Sequence, residues 1–166
     1  WPRWNPVRIH VATLIEYACE HKISQPTSDL MGNLAGLLWA KALHQQAEDL
    51  GRQALQLDEV TFGPESTQVA LRLNNLAQTL KATNRLEDAE PMMRRALAID
   101  ERSYGPDHPN VAIRLNNLAV LLKDTNRLEE VEPMMRRSLE IDEQSYGSDH
   151  PNVARGLNNL AVLLKD

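Results

Sequence analysis

The sequence predicts an all-α protein, built as an array of antiparallel helix pairs. The predictors are a sequence repeat, a helical spacing of apolar residues inside each repeat, and the lack of any alternating strand pattern. The segment LNNLAVLLKD occurs at 115–124 and again at 157–166, and the similar LNNLAQTLKA occupies 73–82. The copies are 42 residues apart, and a fixed period of roughly 20–50 residues is typical of repeat arrays.

The repeat sets the predicted boundaries along the chain. We predict an N-terminal helix at 1–26, a divergent first repeat at 27–68, and full second and third repeats at 69–110 and 111–152. Residues 153–166 then supply only the first helix of a fourth repeat. Because the chain begins without methionine and ends inside a repeat, we expect it to be a piece of a longer protein.

The N-terminal segment departs from the repeat pattern. A shift of two repeat periods aligns Ile15 with Ile99. We therefore interpret the segment as the second helix of a decayed repeat, which caps the array or joins it to an upstream domain. A serine or threonine after Pro26 would cap the next helix. The apolar residues that share one face of the predicted helix are Val7, Val11, Leu14, Ile15 and Ala18.

Each repeat has the apolar spacing of two helices. Leucines and an alanine of the first helix recur at i, i+3, i+4 and i+7, which places them on one stripe. The second helix keeps a similar rhythm with small alanines, which let paired helices approach closely. In the second repeat, the first stripe is Leu73, Leu76, Ala77 and Leu80, and the second is Leu86, Ala89, Met93, Ala96, Leu97 and Ile99.

The turns between helices carry residues that end or start a helix. Asn84 and Asn126 suit the left-handed conformation found at helix ends. Gly105 can terminate one helix, and Pro109 fits the first turn of the next.

The motifs at these positions resemble the tetratricopeptide repeat family. The pattern Leu-x2-Leu-Ala-x2-Leu from 73, followed by Ala-x3-Met-x2-Ala from 89, has leucines and alanines at the large and small positions of that family. The longer period, with LNNLA, AEPMMRRALAI and YGPDHPNVA, is similar to the kinesin light chain-like subclass. This resemblance implies a right-handed α–α superhelix. It also implies a setting such as the C-terminal sensor region of a bacterial signalling ATPase of the NB-ARC type.

A row of polar residues recurs on the first helices, on the side away from the apolar stripe. The resemblance puts that face in the concave groove of the array. An asparagine amide offers both donors and an acceptor, which suits the backbone of an extended peptide. In the alternative interpretation the asparagines only bond to neighbouring helices or loops. The predicted peptide-binding residues are Asn74, Asn75, Gln78, Lys81, Asn116, Asn117, Val120, Lys123, Asn158, Asn159, Val162 and Lys165.

Composition narrows the class of partner. The net charge of −5 argues against a nucleic-acid face, which needs clustered Lys and Arg. The single cysteine, Cys19, excludes an internal disulfide. No run of about 18 apolar residues predicts a membrane span. We expect a cytoplasmic protein.

Charge is distributed unequally between the predicted helices. The first helices carry a small basic excess, from Arg72, Arg114 and Arg155 with nearby lysines, whereas the second helix at 127–146 is acidic. A basic groove would favour an acidic peptide or a C-terminal carboxylate. Ordinary surface patterning with helix-stabilising ion pairs is the alternative.

The sequence predicts neither an enzyme nor a cofactor or metal site. His108 and His150 recur in DHP at a predicted helix start, where a capping role is expected. Cys19 has no histidine at a catalytic spacing and is expected to be a buried thiol. No phosphate-binding loop, nucleophile elbow or zinc motif occurs.

Three functions remain from the sequence. The first is a scaffold that binds a peptide or protein segment, and the second is the sensor part of a signalling protein. The third is a structural or oligomerising array, in which the C-terminal stripe of Leu157, Leu160, Ala161 and Leu164 would pair two copies as a homodimer. Trp39 replaces the recurrent lysine, and either marks a specificity pocket or is covered by the N-terminal helix, which is the favoured expectation.

Overall fold

The described part of the chain consists of helices and turns. A computed structural model of the protein describes Thr13, Ile15, Tyr17 and Glu20, and then all of 27–164. Within those residues there are seven complete α-helices and no strand, which confirms the predicted all-α repeat array. The helices are α1 (Thr27–Ala40), α2 (His44–Phe62), α3 (Thr67–Ala82), α4 (Leu86–Tyr104), α5 (Pro109–Asp124), α6 (Leu128–Tyr146) and α7 (Pro151–Leu163). The chain divides into two compact units, Trp1–Thr83 and Asn84–Asp166.

In the first unit, α2 packs against both α1 and α3. Ile15 is helical and buried in the core of this unit. The other residues predicted on its face, Val7, Val11, Leu14 and Ala18, lie outside the described residues, as does Pro26. The core cluster consists of Ile15, Met31, Leu34, Leu38, Ala47 and Ala54.

In the second unit, α6 packs against both α5 and α7, and α4 packs against α5. Val111, Ala112, Leu115 and Ile141 form a core cluster there. The predicted stripe of α5 is buried and that of α4 is largely buried, because the spacing places them against the neighbouring helix. Of the second-helix stripe in α4, Ala89, Met93, Ala96 and Ile99 are fully buried, while Leu86 and Leu97 are half-buried.

The helix ends follow the predicted turn chemistry. Asn84 and Asn126 have left-handed backbone angles, with φ of 60° and 59°. Gly105 ends α4 with φ of 89°, and Pro109 occupies the first turn of α5. Asparagine and glycine reach positive φ at lower cost than other residues. The local sequence therefore fixes where these helices stop.

The apolar stripe of α7 is only partly covered. Leu160 is buried, but Leu157 is 50% exposed and Leu164 is 61% exposed. Their equivalents one repeat earlier, Leu115 and Leu122, are 2% and 0% exposed. The exposed leucines of α7 are therefore those whose equivalents in α5 are buried.

Candidate functional site

The predicted peptide-binding residues lie at different depths. In α3, Asn74 is buried whereas its neighbour Asn75 is exposed. Asn158 and Val162 of α7 are exposed, and Lys165 lies outside the described residues. The remaining members are half-buried: Gln78, Lys81, Asn116, Asn117, Val120, Lys123 and Asn159.

Two of these asparagines bond to each other across neighbouring first helices. The Nδ2 of Asn159 in α7 donates to the Oδ1 of Asn116 in α5 at 2.9 Å. An amide has two donor hydrogens and two acceptor lone pairs, so one shared bond leaves hydrogen-bonding capacity on both side chains. The bond fixes the orientation of the two amides and gives part of the row a structural role as well.

Arg72 and Arg114 are buried in ion pairs rather than presented on the first-helix face. The Nε of each arginine donates at 2.8 Å to an aspartate of the preceding helix, Asp58 for Arg72 and Asp100 for Arg114. Arg72 also pairs with Asp29. The predicted basic surface is therefore wrong for these two residues, because each buried guanidinium is neutralised by an equally buried carboxylate.

The third repeat lacks this ion pair. One period beyond Arg114 the chain has Gly156, so Asp142 has no arginine at the matching spacing. Asp142 is 4% exposed, and its Oδ1, like that of the paired Asp58 and Asp100, has no hydrogen-bond partner. Burial raises the pKa of Asp142, and the positive charges of Arg155 and His150 oppose that rise.

A cavity of about 420 Å³ opens in the first unit between α1 and α3, above α2. Buried alanines of α2, Ala47 and Ala54, form its floor. Exposed side chains border it, including Asn33, Trp39 and Asn75. Trp39 keeps 45% of its surface exposed. The expectation that the N-terminal helix covers it depends on residues outside the described part and stays a prediction. The alternative, a pocket beside Trp39, agrees with the structure.

Glycines account for the space. Gly51 stands where the second and third repeats have Met93 and Met135, which are 1% and 4% exposed. Gly36 stands where the second repeat has Gln78, and a Cβ added to Gly36 would meet nothing within 4 Å. The first repeat thus lacks the side chains that the later repeats have at the positions of Gly36 and Gly51.

Gly32 has a different role beside the cavity. A Cβ added to Gly32 would lie 2.2 Å from Nη1 of Arg72. The glycine therefore makes room for the guanidinium that reaches Asp29 and Asp58. This glycine supports the buried ion pair, whereas Gly36 and Gly51 leave open volume.

Ion pairs join α4 to the start of α6, the two second helices of the second unit. Arg94 donates to Glu90 and to Glu130 at 2.8 Å each, and Arg127 donates to Glu90 at 2.7 Å. Burial alone would raise the pKa of Glu90, but hydrogen bonds from Arg94 and Arg127 outweigh it and lower that pKa. The same two arginines lower the pKa of Glu130. The acidic residues here are thus matched by arginines.

The recurrent histidines act in the turns. The Nδ1 of His108 accepts a hydrogen bond from the backbone N–H of Asn110 at 3.1 Å, and His150 does the same for Asn152 at 3.2 Å. Each imidazole stacks on a tyrosine, with centroids 4.4 Å apart for Tyr104 and His108. This confirms the predicted capping role.

Metal-ligating side chains are dispersed over the described part of the chain. It contains no group of three or more His, Cys, Asp or Glu side chains placed to hold a metal ion. The expectation for Cys19 falls on a residue outside the described part. None of the described helices combines the length and the apolar character needed to cross a membrane.

Comparison with protein families identifies the array. A model of the tetratricopeptide repeat matches residues 26–102 and 73–144, which together cover more than half of the chain. The chain belongs to the tetratricopeptide repeat family. Among curated protein sequences, none matches the chain.

Solved structures with tetratricopeptide-like folds resemble the chain. BtubC (BKLC) from P. vanneervenii is 25% identical with a TM-score of 0.78, over 86% of this chain and 57% of that one. A putative kinesin light chain of Podosopora anserina is 20% identical with a TM-score of 0.75, over 82% and 65%. The predicted likeness to kinesin light chain repeats is confirmed at the level of the fold. The chain spans less than two thirds of the length of either structure.

A further similar structure contains a bound peptide. The first tetratricopeptide domain of Spaghetti (RPAP3), bound to the HSP90 peptide SRMEEVD, is 15% identical with a TM-score of 0.59. It covers 84% of this chain and 94% of that one. At this identity the likeness concerns the fold alone.

The sequence offered a pocket beside Trp39 only as an alternative and did not predict the origin of the cavity, although a signal for that origin exists. Alignment at the repeat period places Gly51 opposite Met93 and Met135, and a glycine opposite two core methionines indicates missing volume. The burial of Arg72 and Arg114 has a signal too, since each follows an aspartate at the same spacing.

Proposed function

We propose that this tetratricopeptide array is a non-catalytic scaffold that binds an extended segment of another protein on its first helices. The observation that carries the proposal is the recurrence of amides at one register: Asn75, Asn117 and Asn159 occupy the same position in α3, α5 and α7. All three retain some exposure to solvent. Amide side chains can hold a peptide backbone irrespective of its sequence, because every peptide unit offers a donor and an acceptor.

The surroundings of these amides suit such a role. Val162 is 48% exposed beside the row in α7, and Ile113 is 40% exposed in α5. Exposed apolar groups next to amides can contact side chains while the amides bond the backbone. The peptide complex of the similar Spaghetti (RPAP3) domain supports peptide binding by this fold.

The charge of the bound segment is a secondary part of the proposal. The sequence favoured an acidic ligand, but two of the three arginines behind that preference are neutralised by Asp58 and Asp100. Arg155, which is exposed in α7, remains as its support. We therefore propose the contact with the peptide backbone as the primary mode of binding, and a preference for acidic side chains as secondary.

A binding assay tests the scaffold function. Short peptides are first selected from a random library for binding to the original chain. They should bind more weakly to the Asn117→Ala and Asn75→Ala variants than to the original chain. One lost hydrogen bond of about 0.5–1.5 kcal/mol corresponds to roughly a two- to tenfold loss of affinity. Gln144→Ala, an exposed residue of α6, is the matched control and should bind normally. Failure to select any peptide, or equal affinity in all variants, would contradict the proposal.

We further propose that the array is the sensor or adaptor part of a larger signalling protein. The support is the resemblance to arrays in signalling ATPases of the NB-ARC type. The chain also spans only 57% and 65% of the two similar structures. A nucleotide-binding motif in the same gene would agree with the sensor role. Release of an ATPase from inhibition by a selected peptide would establish it.

A second candidate function is self-association through α7. The exposure of Leu157 and Leu164, against the burial of Leu115 and Leu122, leaves an apolar stripe open to solvent. An exposed apolar stripe of this kind favours pairing with a second copy of the chain. We propose an isologous homodimer through this stripe as the alternative.

A further inference from the structure

We propose that the cavity beside Trp39 is an anchor pocket that takes one large, uncharged apolar side chain of the bound peptide. This inference rests on the proposed scaffold function and names the feature of the ligand that the first unit recognises. It follows from four observations: the origin of the cavity, its size, the arrangement of its walls, and its charge.

The cavity originates from residues at which the first repeat differs from the others. Gly51 lies in the middle of α2, at the position where the later repeats have the buried Met93 and Met135. Glycine inside a helix is less favourable than alanine, because it loses more conformational freedom on folding. A Cβ at Gly51 would lie 3.4 Å from Cδ1 of Leu76, an ordinary contact, so the packing does not require a glycine there. Gly51 thus lowers helix stability and leaves space that a methionine would fill.

The size of the cavity matches a side chain. Its volume is about 420 Å³. Ligand pockets commonly range over roughly 300–1,000 Å³, and a cavity of about 150 Å³ is already able to hold benzene. An aromatic ring or a leucine or methionine side chain therefore fits with room for the atoms that join it to a backbone.

The walls place apolar groups inside and amides at the rim. Ala47 and Ala54 lie at the floor with 1% and 0% exposure. Asn33 of α1 and Asn75 of α3 lie at the exposed rim on opposite sides. If an apolar side chain of the ligand packed on this floor, the peptide groups of the ligand would lie at the rim, beside these amides. Trp39, at the rim, adds an exposed aromatic surface beside the entering chain.

The charge of the cavity selects an uncharged occupant. Arg72 is its single charged lining residue among those described, and its guanidinium is neutralised by Asp58 at 2.8 Å. A carboxylate or an ammonium group entering the cavity would lose its hydration and find no unmatched counter-charge. A neutral side chain has no such cost, and gains from the removal of its apolar surface from water.

The test compares two substitutions of the same glycine. Gly51→Met restores the residue of the other repeats and fills the cavity, whereas Gly51→Ala restores helix propensity and leaves most of the volume open. The melting midpoint of both variants should equal or exceed that of the original chain. Short peptides selected from a displayed random library on the original chain should share one Leu, Met, Phe or Trp. Their affinity should fall at least tenfold in Gly51→Met and less than threefold in Gly51→Ala.

A second variant fills the cavity from the α1 wall and serves if Gly51→Met does not fold. Gly36→Val introduces the residue found at 120, and its Cβ would meet no neighbouring atom within 4 Å. It should also reduce binding at least tenfold. Selected peptides without a shared apolar residue, or with full affinity for the filled variants, would overturn the anchor pocket and leave the scaffold function standing. If no peptide were selected at all, both proposals would fail.

Discussion

Arg114 donates from Nε to Oδ2 of Asp100 at 2.8 Å, and both side chains are buried. The pair joins the first helix of one repeat to the second helix of the preceding repeat, and Arg72 and Asp58 repeat it one period earlier. In the next period the aspartate persists as Asp142, but the arginine is replaced by Gly156. A buried carboxylate without its partner is destabilising, so this site offers a direct test of the ion pair.

We expect Gly156→Arg to stabilise the chain. Arginine at 156 would have the same spacing from Asp142 that Arg114 has from Asp100. It also removes a glycine from a helix, which contributes about 1 kcal/mol. The Cβ would lie 3.2 Å from Cδ1 of Leu139, a half-buried side chain whose end can rotate. The melting midpoint, measured by circular dichroism, should rise by roughly 2–4 °C or more at pH 7.

Gly156→Gln is the control, because it supplies the helix propensity without the charge. The rise in melting midpoint should be clearly smaller for glutamine than for arginine. Equal rises in the two variants would show that Asp142 does not pair with residue 156.

We expect the effect of Asp142→Asn to depend on pH. Since burial raises the pKa of Asp142 above its ordinary value of 3.8, the folded state prefers the protonated carboxyl. The cost of the charge is therefore absent below this ordinary pKa, which holds in the unfolded chain, and fully present above the raised folded pKa. Asp142→Asn should stabilise the chain at pH 7 and lose that advantage as the pH falls towards 4.

Urea unfolding at a series of pH values measures this dependence. Asp149→Asn, at an exposed position in the following turn, is the matched control and should change little at any pH. If the stability difference between Asp142→Asn and the original chain stayed constant from pH 4 to 7, the proposed origin in the buried charge would be wrong.

We expect Ala42→Asn to stabilise the first unit. Ala42 has φ of 57° at the turn where the later repeats have Asn84 and Asn126. The left-handed region costs most residues roughly 1–2 kcal/mol, and asparagine bears that cost better than alanine does. The reverse change, Asn126→Ala, should destabilise by a similar amount of about 1 kcal/mol. Thermal unfolding of both variants checks the prediction, and shifts of the same sign would refute it.

We expect the chain to associate through α7 as its concentration rises. Leu157 and Leu164 are 50% and 61% exposed, and each fully buried leucine contributes on the order of 1.5–3 kcal/mol. Leu157→Glu combined with Leu164→Glu should give a monomer. Val60→Glu, a change at an α2 residue that is 81% exposed, is the control and should leave association intact. Light scattering over a concentration series decides, and a strictly monomeric original chain would exclude the dimer.

The sequence by itself determined the repeat, the helix pairs and the ends of the helices. These features depend on short-range chemistry: the spacing of Leu115, Leu118 and Leu122 along one helix, the left-handed angle that Asn84 tolerates, and the first-turn position that suits Pro109. Each can be interpreted from a few consecutive residues, because the helix geometry that relates them is constant.

Only the tertiary structure decided which polar side chains face solvent and where space is left. Asn74 and Asn75 are neighbours in one helix, yet the first is buried and the second exposed, because burial depends on helices that are distant in sequence. Arg72 falls outside the predicted apolar stripe and is still buried, because Asp58 and Asp29 meet it from two other helices. The cavity above Gly51 likewise requires α1, α2 and α3 together, since a missing side chain leaves a void only where its neighbours do not close over it.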